Sequence, residues 1–141
     1  MAQHSTTMKA LYLIPLALVL CLVSLPAADK PPVPPGVKNA SVEEFDKLRA
    51  NKNTVVLDVR TDKEFKEGHI PGAVNLDVNA PDFAKKVAAL DKGRTFLVYC
   101  AHGRRGLKAC GIMKEGAFTN VVNLEEGLSV WSKAGKPVEK K

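Results

Sequence analysis

Residues 100–106 carry the side chains best suited to covalent chemistry, in the order Cys-Ala-His-Gly-Arg-Arg-Gly. They follow an apolar, strand-like stretch and precede a helix-like one, so Cys100 lies at a predicted strand-to-helix turn. The first N–H groups of a helix lack intrahelical partners, and the helix dipole places about half a positive charge at that end. With the two following arginines, this environment favours the thiolate, the reactive form of cysteine. Cys100 is therefore the candidate nucleophile.

Hydrophobic periodicity divides the chain into alternating strands and helices. Short apolar runs rich in β-branched residues predict strands, and apolar positions three or four residues apart predict helices. Ser41 to Glu44 has the pattern of a capping box, which predicts a helix beginning at Val42. The predicted strands are 54–57, 73–76, 96–99 and 121–122, and the predicted helices are 42–50, 62–67, 81–90, 105–115 and 128–134.

This alternation indicates an α/β fold of three layers. A mainly parallel central sheet of about five strands would be covered by helices on both faces. Sites in open α/β sheets form at the carboxyl ends of the strands. Asp58 and Cys100 each follow a predicted strand, so we expect both at that edge.

The first 28 residues have the layout of a secretory signal peptide, in which Lys9 precedes a long apolar run that ends at small residues. A retained transmembrane helix and lipid attachment at Cys21 are the alternatives. We expect an exported protein, periplasmic or secreted, without a stable membrane span after processing. The expected divisions are a signal peptide over 1–28, a proline-rich leader over 29–36 and a single domain over 37–141.

Charge and composition narrow the expected partners. The 141-residue chain has a formal net charge of +6, and Lys9 is the one charged residue of the signal segment. This excess of positive charge suits a small anionic substrate. Nucleic acid is not expected, because the lysines are scattered and no aromatic-rich basic stretch accompanies them. We expect a monomer. We also expect no metal or other cofactor, because the His and Cys residues lack the spacing of metal ligands.

Cys110 is the second cysteine of the predicted domain. A helix that begins near Arg104 carries Cys110 about 9 Å along its axis, whereas the Cα atoms of a disulfide lie within about 7 Å. We therefore expect no disulfide between Cys100 and Cys110 and assign Cys110 to the core. A thiol-disulfide exchange function is disfavoured for the same reason.

Four motifs, in this order and spacing, resemble those of the rhodanese-like sulfurtransferases. They are 57–60 (Leu-Asp-Val-Arg), 64–65 (Glu-Phe), 68–75 (Gly-His-Ile-Pro-Gly-Ala-Val-Asn) and 98–100 (Val-Tyr-Cys) with Arg105 five residues on. The resemblance covers residues 37–138 and is greatest to the small, single-domain, exported members. It implies that Cys100 attacks the outer sulfur of a sulfane donor such as thiosulfate, holds that sulfur as a persulfide and passes it to cyanide or a thiol.

The same loop supplies the expected binding residues. Gly103 lets the backbone bend, so that successive N–H groups converge on the sulfur, and the resemblance implies that Arg105 closes the loop and stabilises it electrostatically. The expected substrate-binding positions are Ala101, His102, Gly103, Arg104 and Gly106. Arg104 either docks the anionic donor or is a solvated charge. His102 either tunes the site or acts as an acid, or it lies on the polar rim. Gly106 stands where many relatives carry a hydroxyl residue, which leaves anion binding to backbone groups.

Asp58, Arg60 and His69 are expected to support the site. A carboxylate beside a guanidinium is typical of a structural ion pair that fixes loop geometry, and positioning of the catalytic loop is the alternative role for Asp58. His69 belongs to a turn that continues through Pro71 and Gly72, and we expect it to be a hydrogen-bonded structural histidine.

Two rival functions remain open. Phosphatases and arsenate reductases also hold a cysteine in an anion cradle, but their loops typically have one more residue between cysteine and arginine. Here four residues, 101–104, intervene, and the smaller loop favours sulfur chemistry. The other rival is a non-enzymatic module that carries a persulfide or docks a partner protein.

Overall fold

The structure, a computed structural model, describes residues 30–141, which form five strands and five helices. The strands are β1 (Lys38–Ala40), β2 (Thr54–Asp58), β3 (Val74–Asn75), β4 (Thr95–Tyr99) and β5 (Val121–Leu124). The helices are α1 (Val42–Arg49), α2 (Asp62–Glu67), α3 (Phe83–Ala88), α4 (Arg104–Glu115) and α5 (Gly127–Lys133). The predicted signal peptide and the lipidation alternative at Cys21 lie outside the described residues.

The strands form one sheet in the order β1-β5-β4-β2-β3. Every pairing in this sheet is parallel, so the sheet is parallel throughout rather than only mainly so. β4 lies at the centre and pairs with β2 from Thr54↔Thr95 to Asp58↔Tyr99. Because parallel strands end at the same edge, Cys100 emerges from the middle of the sheet beside the end of β2.

Helices cover both faces of the sheet and complete the predicted three layers. On one face α3 and α4 enclose a core that includes Phe96, Val98 and Met113. On the other face α1 and α5 enclose a second core, in which the rings of Phe45 and Trp131 meet edge to face. Complete burial of such a side chain contributes about 1.5–3 kcal/mol, so these two cores hold the strand ends, and with them the site, in place.

Sequence patterns missed or misplaced the least apolar elements. β1 was not predicted, because Lys-Asn-Ala has neither β-branched residues nor an apolar alternation. Within residues 30–141 it is an edge strand that pairs with β5 alone. α3 is shorter than the predicted helix over 81–90, and β3 contains two residues instead of four. These short segments are defined by their neighbours rather than by their own periodicity.

The predicted capping box at Ser41 is only half formed. The Ser41 hydroxyl accepts the N–H of Glu44 at 3.3 Å, but the Glu44 carboxylate binds the Lys38 ammonium instead of reaching back to the cap. A complete capping box is found at Thr61 and Glu64, at the start of α2. α1 nevertheless begins at Val42, as predicted.

Residues 30–36 of the expected leader lie against the domain. The N–H of Val37 donates to the carbonyl of Pro34 at 3.1 Å, and a Cβ at Gly111 on α4 would lie 3.5 Å from the Pro34 ring. Lys30 forms an exposed ion pair with Glu125, which follows β5. Within residues 30–141, no helix is long and apolar enough to cross a membrane.

Candidate active site

Cys100 begins a tight loop between β4 and α4. Its Sγ accepts the backbone N–H of Gly103 at 3.0 Å, and the residue is only 1% exposed. Gly103 has a φ of 96°, a left-handed conformation that glycine adopts without steric cost. The N-terminal end of α4, a helix of 12 residues, brings unpaired N–H groups and a partial positive charge to the loop. Cys100 therefore occupies the predicted strand-to-helix turn, with a backbone N–H donor at its sulfur.

The first turn of α5 braces this loop. The N–H of Leu128 donates to the carbonyl of Cys100 at 2.8 Å, and the N–H of Ser129 donates to the carbonyl of Ala101 at 3.1 Å. Gly127 has a φ of 66°, and a Cβ at this position would lie 2.3 Å from the Cys100 carbonyl oxygen. The close approach of the two backbones thus requires glycine, and Gly127 is a site residue that sequence analysis did not identify.

Arg105 is held by Glu64 of α2. Its Nη1 donates to Oε2 at 2.8 Å and its Nη2 donates to Oε1 at 2.9 Å. Since Glu64 also caps α2 through Thr61, one carboxylate joins the start of α2 to the first turn of α4. The Arg105 guanidinium lowers the pKa of Glu64 to about 2. Arg105 thus has the geometry expected of a loop-closing residue, and Glu64, to which sequence analysis gave no role, positions it.

Replacing Glu64 with glutamine is expected to lower the free energy of unfolding by about 1–2 kcal/mol at neutral pH, because the neutral amide forms no charge-assisted pair with Arg105. The pKa of Glu64 falls from 4.5 to about 2 on folding. A lowered pKa stabilises the folded state above the unfolded value, and this stabilisation is lost as pH falls through the interval between them. Denaturant titrations at several pH values measure the difference.

Glu67, exposed on the same helix, provides the matched control. Glu67→Gln removes the same charge and should change the free energy of unfolding by no more than about 0.5 kcal/mol. Equal losses in the two variants, or a Glu64→Gln deficit that does not shrink between pH 4.5 and 2, would contradict the assigned role of the ion pair.

A buried network fixes the end of β2 beside the loop. Arg60 donates to both carboxylate oxygens of Asp58, at 3.0 and 2.6 Å, and to the carbonyl of Gly68 at 2.7 Å. The Tyr99 hydroxyl donates to Asp58 at 2.6 Å and accepts the N–H of Ile70 at 3.0 Å. Burial and the Asp58 carboxylate raise the pKa of Tyr99, so the hydroxyl remains a donor. These contacts support the structural interpretation of Asp58 and Arg60.

Tyr99→Phe tests this network directly. Removal of the hydroxyl leaves the buried N–H of Ile70 without its partner and Asp58 with one donor fewer, so we expect a loss of about 1–3 kcal/mol in the free energy of unfolding. The aromatic ring, which packs edge to face on Phe45, is retained. Denaturant unfolding measures the loss, and a change below about 0.5 kcal/mol would show that the network contributes little.

His69 has the contacts of a structural histidine. Its Nδ1 lies 2.8 Å from the carbonyl oxygen of Phe65, and the two rings stack with centroids 3.8 Å apart. Its backbone forms an isolated antiparallel bridge with Glu139. His69 therefore ties the end of α2 to the C-terminal segment, in agreement with the structural role expected from sequence.

Comparison with known proteins identifies the family. The family model "Rhodanese-like domain" matches residues 41–134, which span the chain from the start of α1 through the end of α5. The chain belongs to the rhodanese-like domain family. This assignment agrees with the parallel α/β sheet and with the cysteine loop at its carboxyl edge.

Rhodanese-like relatives are found among curated proteins and solved structures. The chain is 33% identical to YtwF of Bacillus subtilis over 72% of its own length and 93% of the relative. It is 32% identical to the thiosulfate sulfurtransferase GlpE of Shewanella oneidensis, over 69% of the chain and 94% of the relative. A rhodanese-related protein of Thermoplasma volcanium superimposes with a TM-score of 0.66 and 26% identity, over 74% of this chain and 99% of that one. The chain also matches tRNA uridine(34) hydroxylases, including that of Bacillus pumilus, but spans only 31% of that protein.

Gly106 leaves little space for a side chain. It is buried under the first turn of α4, and a Cβ at this position would lie 2.2 Å from Oδ1 of Asn123 on β5. A hydroxyl side chain therefore does not fit while Asn123 keeps this rotamer. Asn123 is 1% exposed, and its Oδ1 has no hydrogen-bond partner among the described residues.

The remaining loop residues differ in accessibility. His102 and Arg104 are exposed, whereas Ala101 is half-buried and accepts a hydrogen bond from the first turn of α5 through its carbonyl. Arg104 forms no ion pair within residues 30–141. Of the predicted binding residues, the two with charged or titratable side chains therefore face outward beside the loop.

Cys110 lies in the core of this rhodanese-like domain. Both Cys100 and Cys110 are free thiols, in agreement with the expected lack of a disulfide. Burial and the neighbouring Cys100 raise the pKa of Cys110, which keeps it protonated and unreactive. Among the described residues, no group of three or more His, Cys, Asp or Glu side chains is arranged to hold a metal ion.

Proposed function

We propose that this rhodanese-like protein is a thiosulfate sulfurtransferase that carries sulfane sulfur as a persulfide on Cys100. The observation that carries the proposal is the hydrogen bond from the Gly103 N–H to Cys100 Sγ at 3.0 Å, at the N-terminal end of α4. A backbone cradle of this kind stabilises a thiolate or a persulfide anion without a metal ion or other cofactor. The similarity to GlpE, a thiosulfate sulfurtransferase, supports the choice of donor.

The proposed reaction has two displacement steps. In the first, the Cys100 thiolate attacks the outer sulfur of thiosulfate; a sulfur–sulfur bond to Cys100 forms, the bond within thiosulfate breaks, and sulfite leaves with the electron pair. In the second, cyanide or a thiolate attacks the outer sulfur of the persulfide and Cys100 leaves as a thiolate. The cycle is therefore ping-pong, with the modified enzyme as its intermediate.

We assign supporting roles to Arg104, Arg105 and His102 of the loop. Arg104, exposed at the start of α4, attracts the dianionic donor, and the backbone N–H groups of the loop bind the transferred sulfur. Arg105 is engaged by Glu64 through both terminal nitrogens, so it closes the loop and contributes positive charge without leaving its partner. His102 contributes a polar group to the rim.

A steady-state assay tests the proposal. The protein is expected to produce thiocyanate from thiosulfate and cyanide and to leave an aryl phosphate unhydrolysed. Phosphate hydrolysis without thiocyanate would replace the proposal with the phosphatase alternative. Persulfide formation without turnover would favour the alternative of a non-enzymatic carrier or docking module.

We further propose that the protein acts outside the cytoplasm, after removal of residues 1–28. The layout of a basic residue, an apolar run and small residues supports this location. N-terminal sequencing of the protein from its native source would reveal Asp29 as the first residue, whereas an intact Met1 would contradict export by this route.

A further inference from the structure

A pocket of about 160 Å³ adjoins the catalytic loop. Its lining includes His102, Gly103 and Arg104 from the loop and Glu125 and Glu126, which follow β5. Gly103 is also the residue whose N–H binds Cys100 Sγ. The pocket and the cradle of the reactive sulfur therefore share this residue.

The pocket presents charges of both signs. The lining includes the exposed Arg104, which forms no ion pair within residues 30–141, together with Glu125 and Glu126. A dianion such as thiosulfate is repelled by these carboxylates, so they do not serve the sulfur donor. A ligand that carries both an ammonium and a carboxylate matches a lining with charges of both signs.

The two carboxylates already bind an ammonium in this structure. Lys30 of the leader places its Nζ 3.0 Å from Oε1 of Glu125 and 3.7 Å from Oε1 of Glu126. Its side chain is 69% exposed, and exposed ion pairs contribute little to stability. The ammonium of a ligand can therefore take the place of Lys30 at small cost.

A strained backbone conformation also marks the pocket. Glu126 has a φ of 61°, a conformation that costs about 1–2 kcal/mol in any residue other than glycine. Such strain persists chiefly at functional sites, and here it occurs where the Glu126 backbone approaches Gly103 of the loop.

Size restricts the ligand. An engineered protein cavity of about 150 Å³ holds one benzene molecule of six heavy atoms, and free cysteine has about seven. We propose that this pocket is the acceptor subsite, and that it binds a small zwitterionic aminothiol such as free cysteine, with its ammonium at Glu125 and Glu126 and its carboxylate at Arg104. This inference rests on the proposed function and names the acceptor of the second step.

The transfer step balances without another reactant. The acceptor thiolate attacks the outer sulfur of the Cys100 persulfide, a new sulfur–sulfur bond forms on the acceptor, and the bond to Cys100 breaks. Cys100 leaves as a thiolate, and the outer sulfur keeps its proton. The products are a cysteine persulfide and the regenerated enzyme.

The test uses protein loaded with thiosulfate and freed of donor, so that only the second step is observed. Discharge rates are compared for cysteine, for 3-mercaptopropionate, which lacks the ammonium, and for cysteamine, which lacks the carboxylate. We expect kcat/KM for cysteine to exceed that for each analogue by at least about tenfold. In Glu125→Gln/Glu126→Gln, the ratio of cysteine to 3-mercaptopropionate should fall by about the same factor.

Glu115→Gln is the control variant, because it makes the same change from glutamate to glutamine outside the pocket. Glu115 is exposed at the far end of α4, about 16 Å along the helix axis from Arg104, and its variant should keep the preference for cysteine. Comparing the ratio of cysteine to 3-mercaptopropionate between proteins cancels the different intrinsic reactivities of the thiols. The rates of the three thiols with the unmodified protein give a result that does not depend on whether any variant folds.

The outcomes separate the inference from the proposed function. If the persulfide discharges to cyanide and to all three thiols without the cysteine preference, or if the preference survives in the double variant, the acceptor subsite is wrong and the proposed function stands. If thiosulfate loads no persulfide and no thiocyanate forms, the proposed function fails and the subsite fails with it.

Discussion

Replacing Cys100 with serine is expected to reduce thiocyanate production from thiosulfate and cyanide by more than about a thousandfold, because the hydroxyl neither ionises in the cradle nor forms a persulfide. The substitution is nearly isosteric, and the Gly103 N–H that binds Sγ can bind a hydroxyl oxygen instead. The loop should therefore keep its conformation while the chemistry is lost. Steady-state thiocyanate formation measures the effect.

Cys110→Ser is the control for this substitution. Cys110 is the other free cysteine of the described chain and lies in the core on α4. A serine within a helix binds the carbonyl four residues earlier, so the variant should fold and retain most of its activity. Comparable activity in the Cys100 and Cys110 variants would contradict the assignment of Cys100 as the sulfur carrier.

Gly127→Ala is expected to lower activity by about tenfold to a hundredfold, since a displacement of the loop by about 1 Å misplaces the nucleophile. The added Cβ would lie 2.3 Å from the Cys100 carbonyl oxygen and 2.7 Å from the Ala101 carbonyl carbon. Both atoms belong to the backbone, so the contact is relieved only if the loop or the start of α5 moves. The free energy of unfolding should also fall, by about 2–4 kcal/mol.

Gly135 separates the steric contact from the cost of left-handed backbone. Its φ is 71°, close to the 66° of Gly127, but a Cβ there meets nothing within 4 Å. Gly135→Ala should therefore cost only about 1–2 kcal/mol and leave activity unchanged. Equal activity in the two variants, measured as thiocyanate formation alongside denaturant unfolding, would show that the start of α5 does not position the loop.

Local sequence patterns predicted the elements that have strong periodicity of their own. β2, β4 and α4 are apolar or amphipathic over their lengths, and the structure places them within one or two residues of the predicted bounds. β1 was missed because its three residues acquire strand geometry only through pairing with β5. The capping motif at Ser41 was overestimated because Lys38, outside the motif, binds the Glu44 carboxylate.

In the candidate site, too, local sequence patterns predicted some features and missed others. The loop from Cys100 to Arg105 follows from a strand, a glycine and a helix start that are contiguous in sequence. Its supports are not contiguous: Glu64 lies 41 residues before Arg105, and Gly127 approaches Cys100 from the next strand connection. Nothing in a local pattern specifies such contacts, although the resemblance to rhodanese-like proteins had marked Glu64 as part of a motif.

At Gly106 the structure adds a contact that the sequence did not reveal. From sequence, the missing hydroxyl residue implied only that backbone groups bind the anion. The structure shows the Asn123 amide in the space that a side chain at this position would occupy. Gly106 and Asn123 therefore form one steric unit beneath the loop, and a substitution at either position affects the other.

The mass of the intact protein after exposure to thiosulfate tests the central claim most directly. The account predicts a gain of about 32 Da, one sulfur atom, on Cys100, and its complete removal by cyanide with release of an equal amount of thiocyanate. The Cys100→Ser variant should gain nothing. An unchanged mass in the unmodified protein, or a sulfur atom located on Cys110, would contradict the proposal that this loop carries sulfane sulfur.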